Sequence, residues 1–224
     1  MGYESTDPKS QQEVIALRIK LIPLLIIALL CLSGSVAAQT VAATSPTLTF
    51  TQIDAGAFAT GAQDTRANGM NARGDIVGRF TDSNGTHGFF RSSQGTFTPI
   101  DFPHANSTEA RGINNTEDIV GDYTDAKGVL HGFLLSEETF STVDFPGAIG
   151  TEVRSINDEG DIVGGYEDSG GKGHGFLLSQ GTYASIDVPG AAGIQARGIN
   201  PRGNIVGVYA NSIGSNEFGF LETK

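Results

Sequence analysis

The chain repeats one sequence unit about every 43 residues, and this period limits its fold more than any other feature. The motif Ile-Val-Gly begins at Ile76, Ile119, Ile162 and Ile205, each 43 residues after the one before. It follows Arg-Gly-Ile-Asn at residues 111–114 and 197–200, Arg-Ser-Ile-Asn at 154–157 and Asn-Gly-Met-Asn at 68–71. A fixed period of about 40–45 residues indicates a repeat architecture in which each unit is one supersecondary element.

Each unit predicts four short strands, because it contains four apolar runs separated by turn signals. Strand one is Arg-Gly-Ile-Asn, strand two Ile-Val-Gly-x-Tyr, strand three His-Gly-Phe-Leu-Leu and strand four Phe-x-x-Ile-Asp. The Asn-x-x-Gly-Asp sequence between strands one and two is typical of a type I turn closed by a left-handed glycine. Gln180-Gly181 predicts a tight hairpin between strands three and four. Strand four is followed by a longer crossing segment, which leads to the next unit.

Strands two and three are apolar on consecutive residues, which indicates sheets that are covered on both faces. Four-stranded sheets of this length that pack face to face around an axis are propeller blades. The sequence therefore predicts an all-β protein, a four-bladed β-propeller-like ring of four four-stranded repeats.

The two ends of the repeat region suggest how such a ring would close. The last unit ends at Leu221, after its third strand, and Phe50–Asp54 is a fourth strand that stands alone before the first unit. Pairing of the two would complete the last repeat and cover a bare sheet edge. The alternative is an open solenoid with unpaired ends.

The first 38 residues have the pattern of a secretory signal. Arg18 and Lys20 precede an apolar run over residues 21–32, and Val36-Ala37-Ala38 offers a small-residue cleavage site. We expect a signal peptide at 1–38, a short linker at 39–46 and the repeat domain at 47–224, with a secreted or periplasmic location and no membrane contact after cleavage. The alternative is an uncleaved membrane anchor.

The charge of the chain excludes one class of partner. The net charge is −11, and it is unchanged by cleavage because residues 1–38 contain three acids and three bases. Since nucleic-acid binding depends on neutralising phosphates with Lys and Arg, no nucleic-acid partner is expected. Cys31, the single cysteine, lies in the predicted signal, so the exported chain has no disulfide.

The motifs His-Gly-Phe, Gly-Ile-Asn, Asp-Ile-Val-Gly and Asp-Phe-Pro-Gly resemble the bacterial extracellular repeats called the HAF family. The resemblance covers about residues 50–222, although family members have His-Ala-Phe where this chain has His-Gly-Phe. The family is known as a repeat and not as an enzyme class. The resemblance therefore implies export and a bacterial origin, and it implies no activity.

The recurring polar residues favour structural roles over metal chemistry. Histidines at equivalent positions of successive repeats are typical of hydrogen bonds that lock a sheet, so no metal site and no cofactor are predicted. Aspartates that open Gly-containing turns favour Asx turns over calcium loops. The ionisable residues that break the repeat show no nucleophile–base spacing; they are Arg66, Arg79, Arg91, His104 and Glu217.

Strand one carries the candidate ligand-binding residues. Arg111, Arg154 and Arg197 recur at one position, and Glu109 and Glu152 lie two residues before the first two of them. Either each arginine pairs with a repeated aspartate such as Asp144 and locks neighbouring blades, or the arginines line one mouth of the channel and bind an anionic or sugar ligand.

The sequence thus predicts an exported, non-catalytic binding or scaffolding module for a glycan, a peptide or a partner protein. Two alternatives remain at this point. One is a hydrolase or lyase that acts on an extracellular polysaccharide from a propeller scaffold, and the other is a structural surface repeat protein.

Overall fold

The computed structural model describes residues 49–57, 59–212 and 216–223. The predicted signal peptide and linker lie outside these residues. Within them, no helix is long and apolar enough to cross a membrane.

The described residues form an all-β unit of fifteen strands in four consecutive antiparallel groups, here called sheets 1 to 4; a single parallel bridge between Thr86 and Ser107 joins sheets 1 and 2. Sheet 1 contains β1 (Gln63–Met70), β2 (Ile76–Asp82), β3 (Gly85–Arg91) and β4 (Phe97–Ile100). Sheet 2 contains β5 (Ser107–Ile113), β6 (Ile119–Thr124), β7 (Leu130–Ser136) and β8 (Thr139–Val143). Sheet 3 contains β9 (Gly150–Ile156), β10 (Ile162–Glu167), β11 (Gly173–Ser179) and β12 (Thr182–Ile186). Sheet 4 contains β13 (Gly193–Ile199), β14 (Ile205–Ala210) and β15 (Glu217–Glu222). The predicted strands of the four repeats and their meander order are confirmed, except for the predicted strand at Phe50–Asp54.

The turn between strands one and two is closed by its asparagine. In sheet 3 the Oδ1 of Asn157 accepts the N–H groups of Glu159 and Asp161, and Gly160 is left-handed with φ of +81°. The same residue pattern gives the same bonds in the other three sheets. The predicted turn with a left-handed fourth residue is therefore confirmed.

These asparagines also form a ladder from sheet to sheet. The Nδ2 of Asn71 donates to the backbone oxygen of Asn114 (3.3 Å), Asn114 to that of Asn157 (3.2 Å), and Asn157 to that of Asn200 (3.4 Å). The first three side chains are buried, whereas Asn200 is exposed. The ladder joins the ends of strand one in all four sheets, which together line a cavity of about 190 Å³.

The hydrophobic core lies between successive sheets. A valine of strand two packs on strand one of the next sheet: Val77 contacts the cluster of Ala110 and Ile113, and Val120 that of Val153 and Ile156. All of these side chains are at most 7% exposed. The glycine of His-Gly-Phe allows this approach, because a Cβ built on Gly132 would collide with Val153.

Each crossing segment closes the core of the sheet that it enters. Phe102 stacks on Tyr123 with 3.6 Å between ring centroids, and its N–H donates to Thr108 Oγ1 at 2.9 Å. Phe145 repeats both contacts in sheet 3, with Tyr166 and Thr151. The phenylalanine of Asp-Phe-Pro thus belongs to the core of the following sheet.

The predicted closing strand is not formed. Phe50–Asp54 is not a strand, and among the described residues β15 pairs with β14 alone. The physical reason is that this segment behaves as a crossing segment of sheet 1. Ile53 and Ala55 pack on Phe80 and Phe89, and Ala55 N–H donates to Thr65 Oγ1 at 3.0 Å. Extensive contacts in the described chain join only sheets that follow one another, so the described chain does not close as a ring.

Candidate functional site

A network of charged side chains runs across strand one of neighbouring sheets, with Arg111 at its centre. The Nε of Arg111 donates to both carboxylate oxygens of Asp122, at 2.8 and 3.0 Å. Its Nη2 lies 3.2 Å from Glu109 and 3.1 Å from Glu152. Since Glu152 lies on β9, Arg111 links sheet 2 to sheet 3. Its side chain is only 18% exposed, so three carboxylates surround a largely buried guanidinium.

Asp122 is the most perturbed acid of this network. It lies on β6 and is 4% exposed. Burial raises its pKa to about 6, the charges of Glu152 and Glu109 add to the rise, and the hydrogen bonds and charge of Arg111 oppose it. The carboxyl therefore takes up a proton at a higher pH than an ordinary aspartate does. Asp122 was not among the residues predicted from the sequence, although its position breaks the repeat, with Arg79, Gly165 and Val208 at the equivalent positions.

Glu152 is the second junction of the network. It receives Arg154 Nη2 at 2.6 Å as well as Arg111, and Gln195 Nε2 donates to its other oxygen. The Nε of Arg154 is buried without a hydrogen-bond partner in the described part of the chain. A single carboxylate thus connects strand one of sheets 2, 3 and 4.

The predicted arginines are not equivalent. Arg111 and Arg154 are largely enclosed, whereas Arg197 is 47% exposed and contacts Gln195 at 3.2 Å and Glu217 at 3.5 Å. None of the three has an ion pair with a repeated aspartate such as Asp144 among the described residues; Asp144 lies instead 2.7 Å from His131 Nδ1. The expected pairing of arginines with those aspartates is wrong, because strand one supplies its own carboxylates.

A cavity of about 390 Å³ opens beside this network, between sheets 1 and 2 and the start of sheet 3. Six charged side chains line it: Arg66, Arg79, Arg111, Glu109, Asp122 and Glu152. Their formal charges cancel when all are ionised. The other lining residues are Thr86, Ser107, Thr108, Tyr123, Thr124 and Leu130.

Arg79 and Arg66, which break the repeat, form the sheet 1 side of the cavity. Arg79 Nη2 lies 3.0 Å from Asp64 and its Nε 3.6 Å from Glu109, so it spans sheets 1 and 2. Arg66 pairs with Asp64 at 3.4 Å and its side chain is 60% exposed, which leaves part of its guanidinium open to solvent.

The three repeated histidines, His87, His131 and His174, form hydrogen bonds within their own sheets. His87 lies between Asp101 (2.9 Å) and Asp82 (3.2 Å), and His174 between Asp187 (2.7 Å) and Asp168 (3.1 Å). Burial of His87 opposes protonation, but the hydrogen bonds and charges of Asp101 and Asp82 outweigh it and raise its pKa. The expected hydrogen-bonding histidines are confirmed.

The aspartates of the strand two–three turns form the expected Asx turns. Asp168 Oδ1 accepts the N–H groups of Gly170 and Lys172. Asp125 accepts those of Lys127 and Val129 in the same way. In the part of the chain that the structure describes, no group of three or more His, Cys, Asp or Glu is arranged to hold a metal ion.

Comparison with known proteins gives no family. No family model and no curated protein matches the sequence. Among solved structures, a catalytically inactive variant of virginiamycin B lyase from Staphylococcus aureus, solved with quinupristin, is 12% identical with a TM-score of 0.41, over 70% of this chain and 54% of that one. The intramolecular trans-sialidase from Ruminococcus gnavus, in complex with oseltamivir carboxylate, is 12% identical with a TM-score of 0.39, over 64% of this chain and 38% of that one.

The chain thus spans about half the length of the lyase chain and less of the trans-sialidase. At this identity and similarity, neither match transfers an activity or a ligand to the present chain.

Proposed function

We propose that the chain is an exported, non-catalytic binding module in which each sheet is one propeller blade, and that it binds a glycan in the cavity beside Arg111. The architecture is supported by four repeated sheets whose first strands meet at one cavity. The export route is supported by the signal pattern in residues 1–38.

The charge balance of the cavity is the observation that carries the choice of ligand. Three arginines and three carboxylates cancel, and the carboxylates already surround the most buried arginine, Arg111. An anion would be repelled by the carboxylates and a cation by the arginines. A neutral polyhydroxyl ligand can instead accept from guanidinium groups and donate to carboxylates at once.

The test compares two exposed arginines of strand one. We would screen residues 39–224 on a glycan array and then measure the affinity of any bound glycan for Arg66→Ala and Arg197→Ala. Arg66 lines the cavity and Arg197 does not. We expect Arg66→Ala to lose at least about tenfold in affinity, which is the effect of one charged hydrogen bond. The affinity of Arg197→Ala should be unchanged. Both variants should melt close to the melting temperature of the parent protein.

Two results would contradict the glycan proposal. One is the absence of any glycan ligand on the array. The other is a bound glycan whose affinity is the same for Arg66→Ala and the parent protein.

One observation favours the alternative of a polysaccharide-cleaving enzyme. Asp122, with a pKa of about 6, shares Arg111 with Glu109 and Glu152, and a carboxyl of raised pKa paired with a second carboxylate is the arrangement used for glycosidic bond cleavage. Incubation of the bound glycan with the protein decides between the two functions: new reducing ends that disappear in Asp122→Asn would indicate an enzyme.

A further inference from the structure

The outer face of sheet 4 has the residues of an inter-sheet contact, but no neighbouring sheet covers it among the described strands. Val206 is 49% exposed, whereas its equivalents Val77, Val120 and Val163 are completely buried by strand one of the following sheet. Leu221 is 65% exposed at the position where Leu134 packs against the following core. Gly219, the equivalent of Gly132 in the His-Gly-Phe motif, is also uncovered, because a Cβ built on it would meet nothing closer than Gly207 O at 4.0 Å.

The outer side of sheet 1 has the complementary residues, also uncovered. Ala67 is exposed, although its equivalents Ala110, Val153 and Ala196 are completely buried against the preceding sheet. Met70 is 68% exposed, whereas Ile113 and Ile156 are each 7% exposed. Sheet 4 therefore offers an open groove at Gly219, which we call the glycine groove. Sheet 1 offers Ala67, the equivalent of the side chains that fill such a groove at the three contacts within the chain.

Polar groups at the two ends match as well. Asn114 O and Asn157 O each accept the Nδ2 of the preceding asparagine, but Asn71 O has no such donor and Asn200 Nδ2 no acceptor within the described chain.

A second row of bonds links the residues that follow these asparagines. Ala72 N–H donates to Asn115, and Asn115 N–H donates to Asp158. Pro201 occupies the equivalent donor position in sheet 4 and has no N–H, and Ala72 occupies the equivalent acceptor position in sheet 1 and has no side-chain acceptor. A contact of sheet 4 with a sheet 1 would therefore leave no polar group of this row unpaired.

The segment before sheet 1 is placed for the same contact. Ile53 and Ala55 cover Phe80 and Phe89 as Ile100 and Phe102 cover the core of sheet 2, and Ala55 N–H donates to Thr65 as Phe102 N–H donates to Thr108. Phe50–Asp54 thus lies where the fourth strand of a preceding sheet would run. β15, which lacks a neighbour on one edge among the described strands, is the third strand of such a sheet.

We propose that sheet 4 of one chain docks on sheet 1 of a second copy, head to tail, with Phe50–Asp54 of the second copy pairing with β15. The contact continues an interface that the chain already forms three times. A second copy supplies it because no extensive contact joins sheets 1 and 4 among the described residues of one chain. A head-to-tail contact closes as a ring if its rotation allows, and two chains then form a ring of eight sheets. This proposal does not depend on the glycan site.

The test measures mass in solution and uses two groups of variants. Residues 39–224, which contain the whole described unit, should have a mass of two chains or a higher multiple by light scattering at micromolar concentration. Val206→Lys with Leu221→Lys damages the sheet 4 face, and Ala67→Glu damages the sheet 1 face. All three residues are exposed in the single chain, so each variant should keep its strand signal by circular dichroism and become a monomer. Ile149→Lys, at an equally exposed aliphatic residue away from both faces, is the matched control and should stay assembled.

Mixing the two damaged proteins gives the directional result. The protein with Val206→Lys and Leu221→Lys keeps an intact sheet 1 face, and the protein with Ala67→Glu keeps an intact sheet 4 face. These two intact faces fit each other. We expect the mixture to form a pair of one chain each, although neither protein pairs alone. A monomeric parent protein would overturn the proposal and favour closure of the ring within one chain. Variants that stay assembled, or a mixture that remains monomeric, would also overturn the proposal. A failed glycan screen would leave this result unaffected.

Discussion

The fourth residue of the turn between strands one and two is glycine in three of the four sheets and glutamate in one. The fourth turn residue is left-handed in every sheet, with φ of +85° at Gly74, +81° at Gly160 and +77° at Gly203. Sheet 2 has Glu117 there, with φ of +67°. The sequence predicted this conformation, because three of four copies are glycine and the turn type requires it. A left-handed conformation costs a non-glycine residue about 1 kcal/mol.

We predict that Glu117→Gly raises the free energy of unfolding by about 0.5 kcal/mol. Relief of the strained backbone gives about 1 kcal/mol, and the greater freedom of glycine in the unfolded chain removes part of it. Loss of the exposed pair between Glu117 and Arg73 (2.6 Å) removes a little more. Urea unfolding measures the difference. Gly160→Ala is the converse control, because a Cβ there has open space and meets only the strained φ, so it should destabilise. A stabilised Gly160→Ala would show that the turn rule does not hold.

At the scale of the element, the four-strand unit could be predicted because its hydrophobic runs and turn residues are local signals. Contacts between units could not be predicted in the same way. The sequence placed the phenylalanine of Asp-Phe-Pro in the crossing segment and gave it no core contact, yet Phe102 and Phe145 stack in the following core. The asparagine of Gly-Ile-Asn was read as a turn residue, and nothing local shows that its Nδ2 reaches a carbonyl in the next sheet, 43 residues away. A repeat reveals its equivalent positions but not which neighbour each position faces.

The asparagine ladder gives a prediction that separates these two roles. Asn157→Ala removes the Oδ1 that accepts two turn N–H groups and also the part-buried bond from Nδ2 to Asn200 O, whereas Asn200→Ala removes only an Oδ1 with the same turn role at an exposed site. We expect a loss of about 2–3 kcal/mol for Asn157→Ala and about 1 kcal/mol for Asn200→Ala, because a buried group left without a partner bears the larger desolvation cost. Chemical denaturation of both variants measures the difference. Equal losses would show that the inter-sheet bond contributes nothing.

At the scale of the whole unit, the sequence predicted a repeat of stacked sheets, but the predicted pairing of Phe50–Asp54 with the last repeat is not formed within the described chain. The strand-like sequence of Phe50–Asp54 was visible. The position of that segment was not, because its closest contacts are with the sheet that follows it. The candidate site shows the same limit. Arg111, Glu109 and Glu152 were predicted as a group and do meet, but Asp122 joins them from strand two of the sheet. The pairing across sheets follows from stacking geometry, which no single repeat contains.

The open end of the stack gives the last prediction, a matched pair of glycine substitutions in the same motif. In Gly132→Ala the new methyl group would collide with Val153 and lie 2.5 Å from Val143 O, both part of an internal contact. We expect a loss of about 3 kcal/mol in the free energy of unfolding, since a closely packed core resists added volume. In Gly219→Ala the methyl group meets no atom of its own chain closer than 4.0 Å, so dilute protein should unfold within about 0.5 kcal/mol of the parent.

At higher concentration the same Gly219→Ala methyl group would enter the groove that Ala67 of a second copy fills, so assembly should weaken while the single chain stays folded. Urea unfolding of dilute protein and light scattering of concentrated protein measure the two effects separately. If Gly219→Ala destabilises the dilute chain as much as Gly132→Ala does, the face of sheet 4 is already covered within one chain. The head-to-tail contact would then have no free surface, because the face that it needs would be part of the folded monomer.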